Sequence, residues 1–333
     1  MNAPVLFLGV DGGGTRTRAV IVNAAGDILG LGVAGPGNFD DLGEAVAQSN
    51  LDAAVRAAEL EAGGQENSRP FTAAFLGLAG TVSDADRGVV SAMAANLKLA
   101  PAIRTGVDHD IRIALAGGLA GRPGIALVIG TGSSCYGRDS RGRFARAGGW
   151  GHLIGDEGSG YWLGVSAIRA VARAADGRDP PTALSAPILA ALGIEKPDDL
   201  LHRLYVTGLS RPQLAALAPI VLQAAASGDP ASLAFLETGG RRLAECVAAV
   251  AARLEFPSGV EVTPVGGLAS AGARVLGPLE RALSQNLPQA RLRAPALPPV
   301  LGAALLAAEL AGVSGDGFVG RLRAAGLARG LSA

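Results

Sequence analysis

The chain is 333 residues long, 49% hydrophobic and 17% charged, with 29 basic and 29 acidic side chains. That length supports one large or two medium domains with a substantial core, and the composition excludes a disordered chain. The balanced charge leaves no basic footprint for nucleic acid and no acidic tail. Cys135 and Cys246 are the only cysteines, too few and too far apart for a disulfide framework or a Cys/His zinc site. The apolar stretch 111–129 is broken by Gly117-Gly118, Arg122-Pro123 and Gly124, which argues against a membrane span. No basic start followed by a long apolar run precedes Asp11, so a cytoplasmic protein without membrane or nucleic-acid partners is expected.

In chain order, Leu6–Val10 reads as a buried strand, and Val10-Asp11-Gly12-Gly13-Gly14-Thr15 bends it into an alternating strand ending at Val22. Ile28–Val33 is a third strand. A glycine turn between strands lets backbone N–H groups approach an anion closely, and the Thr15 hydroxyl adds a donor. The same residues fit an ordinary glycine-rich β-turn. They do not fit a Rossmann loop, because a strand follows where a helix is needed. A Walker A loop needs Gly-Lys-Ser/Thr, and the only lysines, Lys98 and Lys196, do not follow glycine.

Further on, the pattern predicts a helix over 42–61, a strand over 71–78, a helix over 83–98 with Ser83 as its cap, and a strand over 103–107. A second unit starts near Gly117, with a buried strand over 125–129 turned by Gly130-Thr131-Gly132-Ser133-Ser134. Residues 135–138 and 144–147 read as a hairpin around Asp139-Ser140-Arg141-Gly142. A broken helical stretch fills 161–254, a strand follows over 260–265, and a helical pattern closes the chain after Pro298-Pro299. Each half carries a strand, a glycine turn and a strand, which hints at duplicated α/β architecture.

Taken in order, these motifs resemble the sugar kinase/actin/Hsp70 ATPase superfamily, and within it the N-acetylglucosamine kinase group allied to the BadF/BadG/BcrA/BcrD ATPases. The residues that carry the resemblance are Asp11–Arg16, Gly77–Gly80, Asp110 ahead of Ala114-Leu115-Ala116, and Gly130–Ser133. Gly148–His152, Gly155–Ser159 and Gly266-Gly267-Leu268 extend it towards the C-terminus. The resemblance implies a two-domain actin-like ATPase fold of the ribonuclease H-like type, with mixed sheets flanked by helices and a nucleotide cleft between the domains. The boundary is expected as 1–116 and 117–333, the last helix packing back on the first domain.

The resemblance also implies the site. ATP would be held by Gly12, Gly13, Gly14 and Thr15 in a first phosphate turn and by Gly130, Thr131 and Gly132 in a second. Gly266 and Gly267 would admit the adenosine. Asp11 would hold Mg²⁺ through water. Asp110 is favoured as catalytic base on the sugar hydroxyl, with Asp108 the alternative; either also fits the cap of the helix that follows. For the sugar, the matching positions are Asn38, Asp110, Ser134, Gly149, Trp150 and Asp156, and Trp150 fits equally as a core residue. The implied activity is ATP-dependent phosphorylation of the 6-hydroxyl of N-acetylglucosamine or a related hexosamine, by a homodimer. The alternative is a BadF/BcrA-type ATPase that activates a partner reductase. The three histidines carry no assigned role, Glu157 reads as a loop-satisfying carboxylate, and Cys135 as a small buried residue.

Overall fold

The computed structural model describes residues 4–64 and 69–331. The chain opens with three strands, β1 (Leu6–Gly12), β2 (Thr17–Asn23) and β3 (Ile28–Ala34), followed by helices α1 (Phe39–Leu42) and α2 (Glu44–Glu61). The expected 42–61 helix is thus interrupted at Gly43, whose φ of 80° ends α1 and starts α2. Strand β4 (Ala73–Leu78), helix α3 (Asp84–Asn96), strand β5 (Thr105–His109) and helix α4 (Asp110–Gly118) complete this stretch. Ser83 caps α3 in a reciprocal pair with Asp86. A 3-10 turn occupies 102–104, so β5 starts and ends later than the periodicity predicts.

Strands β6 (Gly124–Ile129), β7 (Ser133–Arg138) and β8 (Phe144–Gly148) follow. The long helical stretch then resolves into α5 (Gly160–Ala175), α6 (Ser185–Leu192), α7 (Leu200–Tyr205), α8 (Arg211–Ala215), α9 (Ala218–Ala226) and α10 (Pro230–Ala251). After β9 (Val260–Val265) come α11 (Ala273–Asn286), the short β10 (Ala290–Leu292), α12 (Pro299–Leu310) and α13 (Asp316–Ala328).

Each half builds one five-stranded sheet. The first has the order β3-β2-β1-β4-β5, antiparallel from β3 to β1 and parallel from β1 to β5. The second, read as β8-β7-β6-β9-β10, repeats that order strand for strand. The β7–β8 pair is antiparallel and the β9–β10 pair parallel, as in the corresponding places of the first sheet. A meander followed by parallel additions occurring twice is the architecture of an actin-like ATPase.

The chain divides into two compact units, one of 1–126 with 293–333 and one of 127–292. The sequence boundary at 116/117 falls earlier, because α4 and the segment after it remain packed in the first unit. There, Ala296 and Leu297 donate backbone hydrogen bonds to Gly118 and Gly117 at 3.0 Å. In the first unit the sheet is buried on both faces. On one side Leu8, Val10, Ile21, Leu76 and Leu78 pack with Leu51, Val55 and Met93 of α2 and α3. On the other, Phe7, Val20, Val22 and Phe75 pack with Ile113 of α4 and Val300, Leu301 and Leu305 of α12. This double cover explains why β1 and β4 read as continuous apolar runs.

Candidate active site

In the first unit, Asp11 sits near the end of β1, paired across the hairpin with Arg18 and alongside Gly77 of β4. The glycines that follow form a closed turn, in which Gly13 N–H donates to the Arg16 carbonyl at 3.0 Å. Gly14 and Thr15 are exposed at its tip. The segment carrying Asn38 lies against this turn: Gly37 N–H donates to the Gly13 carbonyl at 2.9 Å. Asn38 is the N-cap of α1, accepting from Asp40 N–H at 3.3 Å and donating to the Asp41 carboxylate at 2.6 Å. Each end of its amide has one partner and keeps a second donor or lone pair for a ligand.

The segment Asp108-His109-Asp110 ends β5 and begins α4. Asp110 is the first residue of α4, while the cap itself is His109, whose Nδ1 accepts from Ile111 N–H at 3.3 Å. The capping job that the sequence offered to an aspartate thus belongs to the histidine between them. Asp108 turns back, accepting from His109 N–H at 2.9 Å and facing Arg87 at 3.7 Å. His109 also contacts the Asp110 carboxylate. Burial, and then the charge of Asp110, pushes the Asp11 carboxyl up to about 6, against the opposing pull of Arg18 and Arg16. Asp11, Gly77 and Asp108 lie in register across β1, β4 and β5, so α4 starts at the same end of the sheet as the first glycine turn.

Two mutually repelling carboxylates near a phosphate-type turn suit a hard divalent cation that keeps much of its water. Among the described residues no three His, Cys, Asp or Glu side chains gather to cage a metal. An ion here would take its other ligands from water and phosphate, which is how Mg²⁺ behaves with nucleotides.

In the second unit, Gly130 to Gly132 form a turn closed by Gly130 N–H donating to the Gly132 carbonyl at 2.9 Å. The start of α5 is tied to it, with Gly160 N–H donating to the Gly130 carbonyl at 2.8 Å and Tyr161 N–H to the Thr131 carbonyl at 3.1 Å. Gly266 lies against the same turn: a Cβ there would stand 2.8 Å from the Ile129 carbonyl and 3.3 Å from Gly130 N. Gly267 is exposed beside it. The turn expected to hold phosphate and the glycines expected to admit adenosine are contiguous.

The positions expected to meet the sugar in this unit are also brought together. Ser134 pairs with Gly148 across β7 and β8, Gly149 N–H donates to the Ser133 carbonyl at 3.1 Å, and a Cβ on Gly149 would be 3.1 Å from the Ser134 Cβ. Trp150 is 67% exposed, with the Arg146 guanidinium 5.8 Å from its ring centroid. The core reading of this residue is excluded.

Asp156 has a different situation from an open sugar ligand. It is 2% exposed, at a φ of 61°, with Oδ1 accepting from Ser133 N–H at 3.0 Å and Oδ2 from Arg211 at 2.6 Å. Left-handed backbone at a non-glycine residue is uncommon and carries a conformational cost. Two charge-assisted hydrogen bonds offset that cost. Nothing in the sequence marked Arg211, which lies 55 positions away on α8.

With this geometry in view, comparison with known proteins is decisive. The profile of the BadF/BadG/BcrA/BcrD ATPase family matches residues 8–307. The chain belongs to that family. A Clostridium acetobutylicum protein named N-acetylmuramic acid/N-acetylglucosamine kinase is 32% identical over 301 residues, covering 90% of this chain and 97% of its own length. The N-acetyl-D-glucosamine kinase of Dictyostelium discoideum is 29% identical, covering 91% and 97%. A crystal structure from Chromobacterium violaceum, assigned as an N-acetylglucosamine kinase, superimposes with a TM-score of 0.73 at 29% identity, covering 92% of this chain and all of that one. This member of the ATPase family thus shares its fold over nearly its full length with those proteins. Among the described residues no helix is long and apolar enough to cross a membrane.

Proposed function

We propose that this chain is an ATP-dependent amino-sugar kinase, transferring the γ-phosphate to the 6-hydroxyl of N-acetylglucosamine or a related hexosamine. The observation that carries the reading is the 32% identity to the Clostridium kinase over 97% of its length. The register that brings the end of β5, and so the start of α4 at Asp110, to the same end of the sheet as Asp11 and the first glycine turn supports it. A base on the acceptor hydroxyl has to stand next to the group that holds the phosphate.

In this reading the backbone N–H groups of Gly12–Thr15 and of Gly130–Gly132 take the phosphates, and Gly266-Gly267 leaves room for the base. Asn38, Ser134, Gly149 and Trp150 receive the sugar. Asp110 accepts the proton of the 6-hydroxyl as its oxygen bonds to the γ-phosphorus, and the bond to the β-phosphate oxygen breaks to release ADP. Asp11 would hold Mg²⁺ through water, and that ion supplies neutralisation of phosphate charge when bound. The protein would act as a cytoplasmic homodimer, its assembly readable by light scattering.

The reductase-activator reading is less supported, because the two relatives above, which cover 90% and 91% of the chain, are named as kinases. Cys135 is fully buried, and burial pushes its thiol well above the ordinary range, which suits packing rather than cluster ligation. A coupled ADP-release assay with Mg-ATP against N-acetylglucosamine, glucosamine, N-acetylmuramic acid, N-acetylmannosamine and glucose tests the proposal. Saturable turnover with a hexosamine is expected. Sugar-independent ATP hydrolysis alone would overturn it.

A further inference from the structure

A chain that handles phosphate needs cationic donors near it, and neither Lys98 nor Lys196 belongs to either glycine turn. Arginine is the remaining source, and one arginine is built against the second turn. Arg211 opens α8, just after the Ser210 cap. Its Nη2 donates to the Asp156 carboxylate at 2.6 Å. A Cβ placed on Gly132 would lie 2.1 Å from that Nη2 and 2.7 and 2.9 Å from the two Asp156 oxygens. The turn therefore passes directly over the ion pair, and a side chain at this position would have to displace it.

Two details show that the guanidinium is not simply neutralised there. Asp156 shares its charge with the Ser133 N–H, through Oδ1 at 3.0 Å. The Nε–H of Arg211 is buried and has no hydrogen-bond partner. A buried donor left unmade is costly, and such groups are rare in folded proteins. The Arg211 side chain as a whole is 38% exposed, with its Nη2 against Gly132, so an oxyanion at the turn can reach its remaining charge.

We propose that Arg211 is a phosphate-binding residue of the second glycine turn, oriented by Asp156 and donating from its guanidinium to a phosphate oxygen of the bound nucleotide. Asp156 is then a positioning residue that fixes both the arginine and the Ser133 N–H. The inference rests on the proposed nucleotide-dependent function and adds to it a side chain that no motif marks.

The test is calorimetric binding of ADP and AMPPNP, with adenosine measured by competition, to the wild-type chain and to Arg211→Gln, Arg211→Lys and Asp156→Asn. Thermal unfolding of each variant establishes that it is folded. For Arg211→Gln we expect about a tenfold or greater loss of affinity for ADP and AMPPNP and unchanged affinity for adenosine. Arg211→Lys recovers part of the loss, since it restores charge without the fork. Asp156→Asn weakens the same two nucleotides by a smaller factor. An equal loss for all three ligands would mean that Arg211 only shapes the turn, and would overturn the proposal. So would unchanged ADP affinity in Arg211→Gln. If the wild-type chain itself binds neither ADP nor AMPPNP, the functional reading fails together with the inference.

Discussion

Gly9 of β1 and Ala304 of α12 stand backbone to backbone. A Cβ on Gly9 would lie 2.4 Å from the Ala304 nitrogen and 2.8 Å from the Val300 carbonyl. The central strand of the first sheet can carry no side chain at this point, because a helix from the far end of the chain occupies the space. Gly9→Ala should therefore force β1 and α12 apart and cost about 1–3 kcal/mol of stability, as overpacking of a close-packed core does. Denaturant unfolding compares the two proteins. An unchanged midpoint would mean that the contact is looser than described.

Asp110 and Asp11 predict a linked pair of effects. Asp110→Asn removes both the proposed proton acceptor and the charge that helps push the Asp11 carboxyl up to about 6. Sugar phosphorylation should fall by roughly 10²–10⁴-fold, the usual worth of a positioned base, while ADP still binds. Carboxyl NMR titration should show the Asp11 pKa moving down from about 6, since burial is then opposed by Arg18 and Arg16 without the help of Asp110. Retained turnover would move the base assignment to Asp108.

Trp150 lies on the surface beside Ser134 and Gly149, so its truncation should leave the fold intact. Trp150→Ala is expected to raise the KM for the sugar several-fold with little change in melting temperature. The only other tryptophan is Trp162, so a Trp162→Phe protein reports Trp150 fluorescence alone. Sugar binding should shift that emission, and a silent signal would detach Trp150 from the site.

Asp229 anchors the second unit away from the glycine turns. It caps α10 through Ser232 N–H at 2.9 Å and receives Ala183 N–H at 2.9 Å and the Thr182 hydroxyl at 2.9 Å. Burial works to raise its pKa, but these hydrogen bonds prevail and hold it below the ordinary 3.8. A depressed folded-state value stabilises the protein above the unfolded pKa, and that contribution fades as pH falls through the folded one. Asp229→Ala should cost about 1–3 kcal/mol at pH 7. The gap to wild type should narrow below about pH 4 in thermal melts recorded across pH.

The parts of this molecule that the sequence makes legible are those governed by local rules. Buried strands such as β4 and β9 announce themselves as apolar runs, and Ser83 three residues before Asp86 marks the start of α3. The glycine turns are visible because strands flank them. What stays hidden depends on partners distant in the chain. The three-residue β10 has no pattern of its own and exists only as an addition to β9. His109 takes the α4 cap that aspartate usually fills, a choice made by side-chain geometry rather than by residue type. Asp156 matches a sugar-side position in the sequence, and its ion pair with Arg211 shows only in the fold.

The return of α12 and α13 to the first unit sets an order on how the molecule is made. The 127–292 unit is a single uninterrupted segment, whereas the 1–126 unit is finished only by residues from 293 onward. On a ribosome the inserted segment is fully synthesised while the part of the β1 face that α12 later covers still lacks that helix. Phe7, Val20 and Val22 face that gap. The nascent chain thus carries exposed sheet surface for the time needed to translate more than half of its length, a substrate for holding chaperones and a hazard for early termination. A nonsense mutation just before Pro298 would remove a small fraction of the residues and yet leave that face of the first sheet with α4 as its only covering helix among the described residues.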